Sequence, residues 1–130
     1  NWNTTVTYSF GEDLSNSAPL GHIPPIYGQS TISLVRRNWN LSFFARFKGA
    51  KQAIDYSPNG EDNLAEATKN GTPAWHTFNL KLGIHLHEYV LLQLGCYNLL
   101  DQHYKQFSSG ISAPGRNLSF TLRMGLNKRN

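Results

Sequence analysis

His85 and His87 stand two positions apart, which on a β-strand places both imidazoles on one face, where two nitrogens can meet a metal ion. We read the pair as a polar face residue beside a turn residue. His22 and His103 fall in long loops, where an imidazole can touch a metal chelate or haem, but neither has a partner identifiable in the sequence. Four acids, Asp55, Glu61, Asp62 and Glu66, gather in one loop. They lack the spacing of a calcium loop and read as solvated surface. Serine, histidine and aspartate are present, yet no nucleophile elbow G-x-S-x-G occurs. Cys96 is the only cysteine, so no internal disulfide is possible, and it reads as a small apolar strand residue. No catalytic set, metal set or cofactor motif emerges, and we expect no enzyme.

The elements that would position these residues follow from composition and alternation. The 130 residues are 39% hydrophobic, enough for one folded domain. The charged fraction of 15% is well below the roughly 25% of soluble domains, with polarity supplied by Asn, Ser, Thr, Gln and Gly. A net charge of +4 carries no dense basic run beyond Arg36-Arg37 and Lys128-Arg129, which argues against a nucleic-acid partner. The start, NWNTTVTYSF, lacks the basic and apolar regions of a signal peptide. No stretch approaches the ~20 apolar residues of a membrane helix. If this chain crosses a membrane, it does so as strands.

Six strand-like segments are legible, at about 2–10, 29–36, 39–51, 75–86, 89–100 and 115–126. In the third, Trp39, Leu41, Phe43, Ala45 and Phe47 oppose Asn40, Ser42, Phe44, Arg46 and Lys48; in the sixth, Leu118, Phe120, Leu122, Met124 and Leu126 oppose Asn117, Ser119, Thr121, Arg123 and Gly125. Only tight turns fit at Arg37-Asn38 and His87-Glu88, whereas the links at 11–28, 52–74 and 101–114 are long. In an antiparallel meander every short turn then falls at one end and every long loop at the other, the asymmetry of outer-membrane barrels. Trp2, Trp39 and Tyr89 at the short-turn end, with Phe10 and Trp75 at the other, match two interfacial girdles. The alternative is a soluble β-barrel or sandwich that binds a small apolar ligand. The two differ in whether Phe43, Phe47, Leu80, Leu82, Leu94, Phe120 and Leu122 face lipid or converge inside.

The segment YNLLDQHYKQFSSGISAPGRNLSFTLRMGL resembles the last two strands of TonB-dependent outer-membrane receptors. Asn98, Leu99, Leu100, Asp101 and Tyr104 fill that family's Asn-Leu-(Leu/Phe)-Asp-x-x-Tyr stretch. Ala113, Pro114, Gly115, Arg116 and Asn117 fill its Ala-Pro-Gly-Arg-Asn strand start. PLGHIPPIYG resembles the family's Ile-Pro-Pro stretch, and GEDNLAEATKNGTPAWHTFNLKLG resembles the next loop and strand, in a Bacteroidetes-like form.

The resemblance implies an all-β fold, the last six strands of a 22-stranded transmembrane barrel, without the plug domain that precedes the barrel in that family. It implies uptake of a scarce ligand such as an iron chelate, haem, cobalamin or glycan, with energy from the TonB complex acting on the plug. The partners implied are outer-membrane lipid, the rest of the barrel, the plug and the transported ligand. His22, Tyr27, Tyr56, Trp75, His103 and Phe107 are the loop residues expected to contribute to capture. The family's usual aromatic end is absent, since Leu126 is followed by Asn-Lys-Arg-Asn. Gly115 is expected to allow a sharp loop exit, and Asp101 and Arg116 a rim salt bridge.

Overall fold

The structure, a computed structural model, describes residues 1–60 and 62–125; Glu61 and the expected strand end at Leu126 lie outside the described residues. Among the described residues ten strands occur, in chain order β1 (Trp2–Thr7), β2 (Glu12–Asp13), β3 (Ala18–Pro19), β4 (Tyr27–Val35), β5 (Trp39–Lys48), β6 (Lys51–Gln52), β7 (Gly71–Thr72), β8 (Trp75–His87), β9 (Val90–Tyr97) and β10 (Asn117–Met124). The six long ones form one antiparallel sheet in the order β1-β4-β5-β8-β9-β10, a meander. The pairs β2-β3 and β6-β7 are two-residue ladders within the loops.

Cross-strand register answers which residues share a face. Leu34 pairs with Leu41, Leu41 with Leu82, Leu82 with Leu94, and Leu94 with Phe120. The neighbouring row runs Ile32, Phe43, Leu80, Cys96, Leu118. Because side chains alternate with period two, one such register puts every apolar row on the same face. That face is uncovered: Ile32 is 53% exposed, Phe43 40% and Phe120 69%. The apolar rows lie side by side on one open surface and do not converge.

Burial is found on the opposite, polar face. Thr77 and Asn79 are each 3% exposed, and Lys48 and Trp75 nearly as buried. Among the described residues the only buried hydrophobic side chains are Tyr56 and Trp75. Part of the last loop folds over this face, so the polar side carries the packing.

Several expected boundaries move, each for a local reason. The first strand stops at Thr7, because the residues that would pair beyond Thr7 and Tyr27 include Pro24 and Pro25, which have no N–H to donate. β4 starts two residues earlier than expected, at Tyr27. β5 ends at Lys48, three residues short of the expected Lys51, and Gly49 N still donates to Ile26 O at 2.7 Å one step beyond the last paired residues. β9 ends at Tyr97 because Asn98 adopts a left-handed φ of 52°. The second tight turn sits at Glu88-Tyr89, one residue late, because β8 bulges between His85, paired with Leu91, and His87, paired with Val90. The bulge breaks the simple alternation that would put His85 and His87 on one face. Trp75, expected in a rim girdle, lies instead on the polar face opposite Lys48.

Candidate functional site at the loop end of the sheet

The base of the last loop is built from the motif residues. Asn98 donates its backbone N–H to Asn79 Oδ1 at 3.0 Å, and its Nδ2 donates to Gln102 O at 2.9 Å and Pro114 O at 3.3 Å. Its Oδ1 accepts from Gln102 N at 2.9 Å. One buried carboxamide thus ties both ends of the loop together, and asparagine tolerates the left-handed backbone this requires. Leu99 N continues the frame by donating to Phe78 O at 2.9 Å.

Asp101 and Arg116 meet, but not as the expected salt bridge. Asp101 Oδ1 accepts the backbone N–H of Arg116 at 2.6 Å, while the Arg116 guanidinium donates Nε to Leu99 O at 3.0 Å. Charge pairing gives way here to a backbone clamp. A Cβ at Gly115 would lie 2.6 Å from Asp101 Oδ1, so a side chain there would push that oxygen away from the Arg116 N–H. Asn117 Nδ2 donates back to Gly115 O at 3.3 Å, and Ala113 N to Tyr104 O at 2.8 Å.

A second cluster joins the three long loops. Lys51 Nζ lies 3.1 Å from Asp62 Oδ2 and donates to Ile23 O at 2.7 Å. Asp62 also accepts the backbone N–H groups of His22 at 2.6 Å and Ser57 at 3.4 Å. Burial pushes the Asp62 carboxyl up, but these hydrogen bonds and the Lys51 charge outweigh it and hold the group below its ordinary 3.8. The expectation of a solvated acid is therefore corrected for Asp62, which is 1% exposed. Asp55 and Glu66 remain exposed, and Glu66 lies 3.7 Å from Lys105. The Phe107 ring from the last loop stands 4.5 Å from Lys51 Nζ and 5.9 Å from the Tyr56 ring. Tyr56 also hydrogen-bonds Thr72 through its hydroxyl.

Beside this cluster a cavity of about 540 Å³ opens on the polar face, bordered by Tyr27, Arg46, Lys48, Trp75, Gln106 and Phe107 among others. Among the described residues no carboxylate borders it. The Trp75 and Tyr104 rings pack tilted by 36° with centroids 4.2 Å apart. A smaller cavity of about 290 Å³ lies between the other side of Trp75, Tyr104 and His103.

Of the six loop residues expected to contribute, Tyr27, Trp75 and Phe107 border the larger cavity, and Tyr56 packs behind Phe107. His103 belongs to the smaller one and pairs its Nε2 with Ser112 Oγ at 2.9 Å. His22, with φ of 60°, uses its backbone to hold Asp62. Sequence reasoning missed Lys48, Lys51 and Arg46. The alternation of Arg46 and Lys48 with Phe47 was legible, but not that loops would fold over the end of their row or that Lys51 would be buried beside them.

No protein-family model matches the chain, and no curated protein matches its sequence. Among solved structures, the copper transporter OprC superposes with a TM-score of 0.79 at 19% identity, over 95% of this chain and 21% of that one. The chain thus spans about a fifth of the length of the structure it resembles, and the likeness is one of fold: an antiparallel all-β sheet that matches part of a transporter.

Proposed function

We propose that the chain is the C-terminal barrel portion of a TonB-dependent outer-membrane receptor, the last six strands of a 22-stranded wall, serving energised uptake of a scarce ligand. The observation that carries this reading is the inverted sheet: apolar rows in unbroken register on an uncovered face, and buried polar side chains on the other. A surface of that width in water is unfavourable, whereas hydrocarbon accepts it without a second layer. All three long loops at one end, and the fold likeness to part of a copper transporter, support the same reading. The cargo is an iron chelate, haem, cobalamin, a glycan or, by analogy with that neighbour, a copper species. The wider barrel, its plug and TonB are the partners this assignment brings.

Topology tests it. In a Cys96→Ala background of the full-length polypeptide, cysteine introduced by Asn59→Cys reacts with an impermeant thiol reagent on intact cells. Asn38→Cys reacts only after the membrane is opened. Labelling at position 38 from outside inverts the model, and recovery of the protein in the soluble fraction removes it.

A further inference from the structure

Two buried hydrogen-bond donors in residues that border the larger cavity have no acceptor among the described residues. Lys48 Nζ and Trp75 Nε1 are both shielded and unpartnered, in residues 5% and 6% exposed. Burying an ammonium without a counter-charge is costly, and leaving an indole N–H unmet adds to that cost. Lys51 provides the internal contrast. One turn of chain away and equally buried, it has Asp62 at 3.1 Å and a carbonyl at 2.7 Å. Among the described residues Lys48 has the Phe107 ring, 5.8 Å away at its centroid, and no acceptor, and Arg46 adds a second cation along the same face of β5.

We infer that this cavity is a binding site for an organic anion with a flat apolar body. Its carboxylate or equivalent oxygens accept from Lys48 Nζ and Trp75 Nε1, and its body lies against Phe107 and Tyr27. A volume of about 540 Å³ lies within the range of small-molecule sites, ~300–1,000 Å³. The ligand's body displaces the Phe107 ring from above Lys48, which requires a rotation of that side chain away from Lys48. The inference rests on the transport reading in taking the polar face as a wet lumen, and it deepens that reading by naming the charge and shape of the cargo.

The test uses the full-length polypeptide purified in detergent, with 2-naphthoate as probe, 2-naphthamide as its neutral counterpart and inorganic phosphate as an anion without a ring. By equilibrium dialysis naphthoate binds at least tenfold tighter than either control. Lys48→Met weakens naphthoate at least tenfold yet raises the thermal midpoint of the unliganded protein, because it removes an uncompensated buried charge. Trp75→Phe weakens naphthoate several-fold and serves as the second variant if Lys48→Met does not fold. Equal affinity for naphthoate and naphthamide overturns the site, as does unchanged binding in either folded variant. A lowered midpoint in Lys48→Met also overturns it, by showing that another part of the polypeptide already supplies the counter-charge. Membrane fractionation of the same preparation separates the two readings: soluble protein that keeps its naphthoate selectivity removes transport and leaves the site.

Discussion

Lys51 Nζ and Asp62 Oδ2 lie 3.1 Å apart with both side chains almost wholly buried, and through them the first two long loops are locked together beneath Phe107 of the third. Removing one partner leaves the other charge buried and unmatched. Asp62→Ala is expected to cost about 3–5 kcal/mol of local stability, and Lys51→Met with Asp62→Leu together less. Limited proteolysis within residues 53–74 of the full-length protein measures both. Equal cleavage of single and double variants would count against a charge-based lock.

The same pair sets an acid limit. Because Asp62 titrates below its ordinary 3.8, its contribution is fully present above that value and is lost as pH falls through the depressed folded value. Loop protection against an acid-active protease should hold to about pH 4 and fail below it. Asp62→Asn should show no such acid step.

Asn98 offers a separation of backbone from side-chain effects. Asn98→Gly relieves the left-handed φ of 52° but loses the carboxamide that holds Gln102 and Pro114. Asn98→Ala loses the carboxamide and keeps the strain. Each buried group left unsatisfied costs about 1–3 kcal/mol, so both variants destabilise, alanine the more. Thermal melts with hydrogen exchange at residues 99–116 give the comparison, and glycine at wild-type stability would refute the clamp.

Leu82 and Leu122 sit in the apolar rows, paired with Leu41 and Leu94 and with Leu92 respectively. Arginine at either is expected to cost ~2–4 kcal/mol near the bilayer midplane, whereas Thr121→Arg on the polar face is mild. Asn79, on that polar face too, is not a neutral control: it is 3% exposed and donates to Phe44 O at 3.1 Å. Equal tolerance of Leu82→Arg and Thr121→Arg in a folding assay would reverse the face assignment.

Residues 1–130 expressed alone should not give a well-behaved monomer. Among the described residues the outer edges of β1 and β10 have no neighbour in the sheet order, and every residue of β10 is exposed. Unpaired edge groups cost several kcal/mol each in lipid and template aggregation in water. Size-exclusion chromatography in detergent should show broad oligomers. A monodisperse, cooperatively unfolding soluble monomer would sink the barrel reading.

Alternation made the six-strand sheet and its two faces legible in the sequence, because the period of two survives wherever one face meets a uniform medium. It failed where something non-local ended the pattern. Tyr8 to Phe10 alternate well but face Pro24 and Pro25 across the ladder, and Asn98 to Leu100 continue an apolar run that a left-handed residue terminates. Aromatic loop residues such as Tyr27 and Phe107 stood out by type. The buried pair of Lys51 and Asp62 did not, since eleven positions apart in a polar loop they resemble ordinary solvated charges.

The inversion of burial across the sheet has a consequence for how the gene can drift. In the proposed membrane setting the uncovered face meets lipid, which has no fixed shape, so side chains such as Leu118, Phe120 and Met124 need only be oily; exchanges among Leu, Ile, Phe and Val there leave no void to fill. The polar rim is the jigsaw. Thr77, Asn79 and Asn98 each fit one set of partners, and loss of a single oxygen or amide group is felt. A deep mutational scan would therefore look like the negative of one from a water-soluble domain, permissive along the greasy stripe and strict among the small amides and hydroxyls.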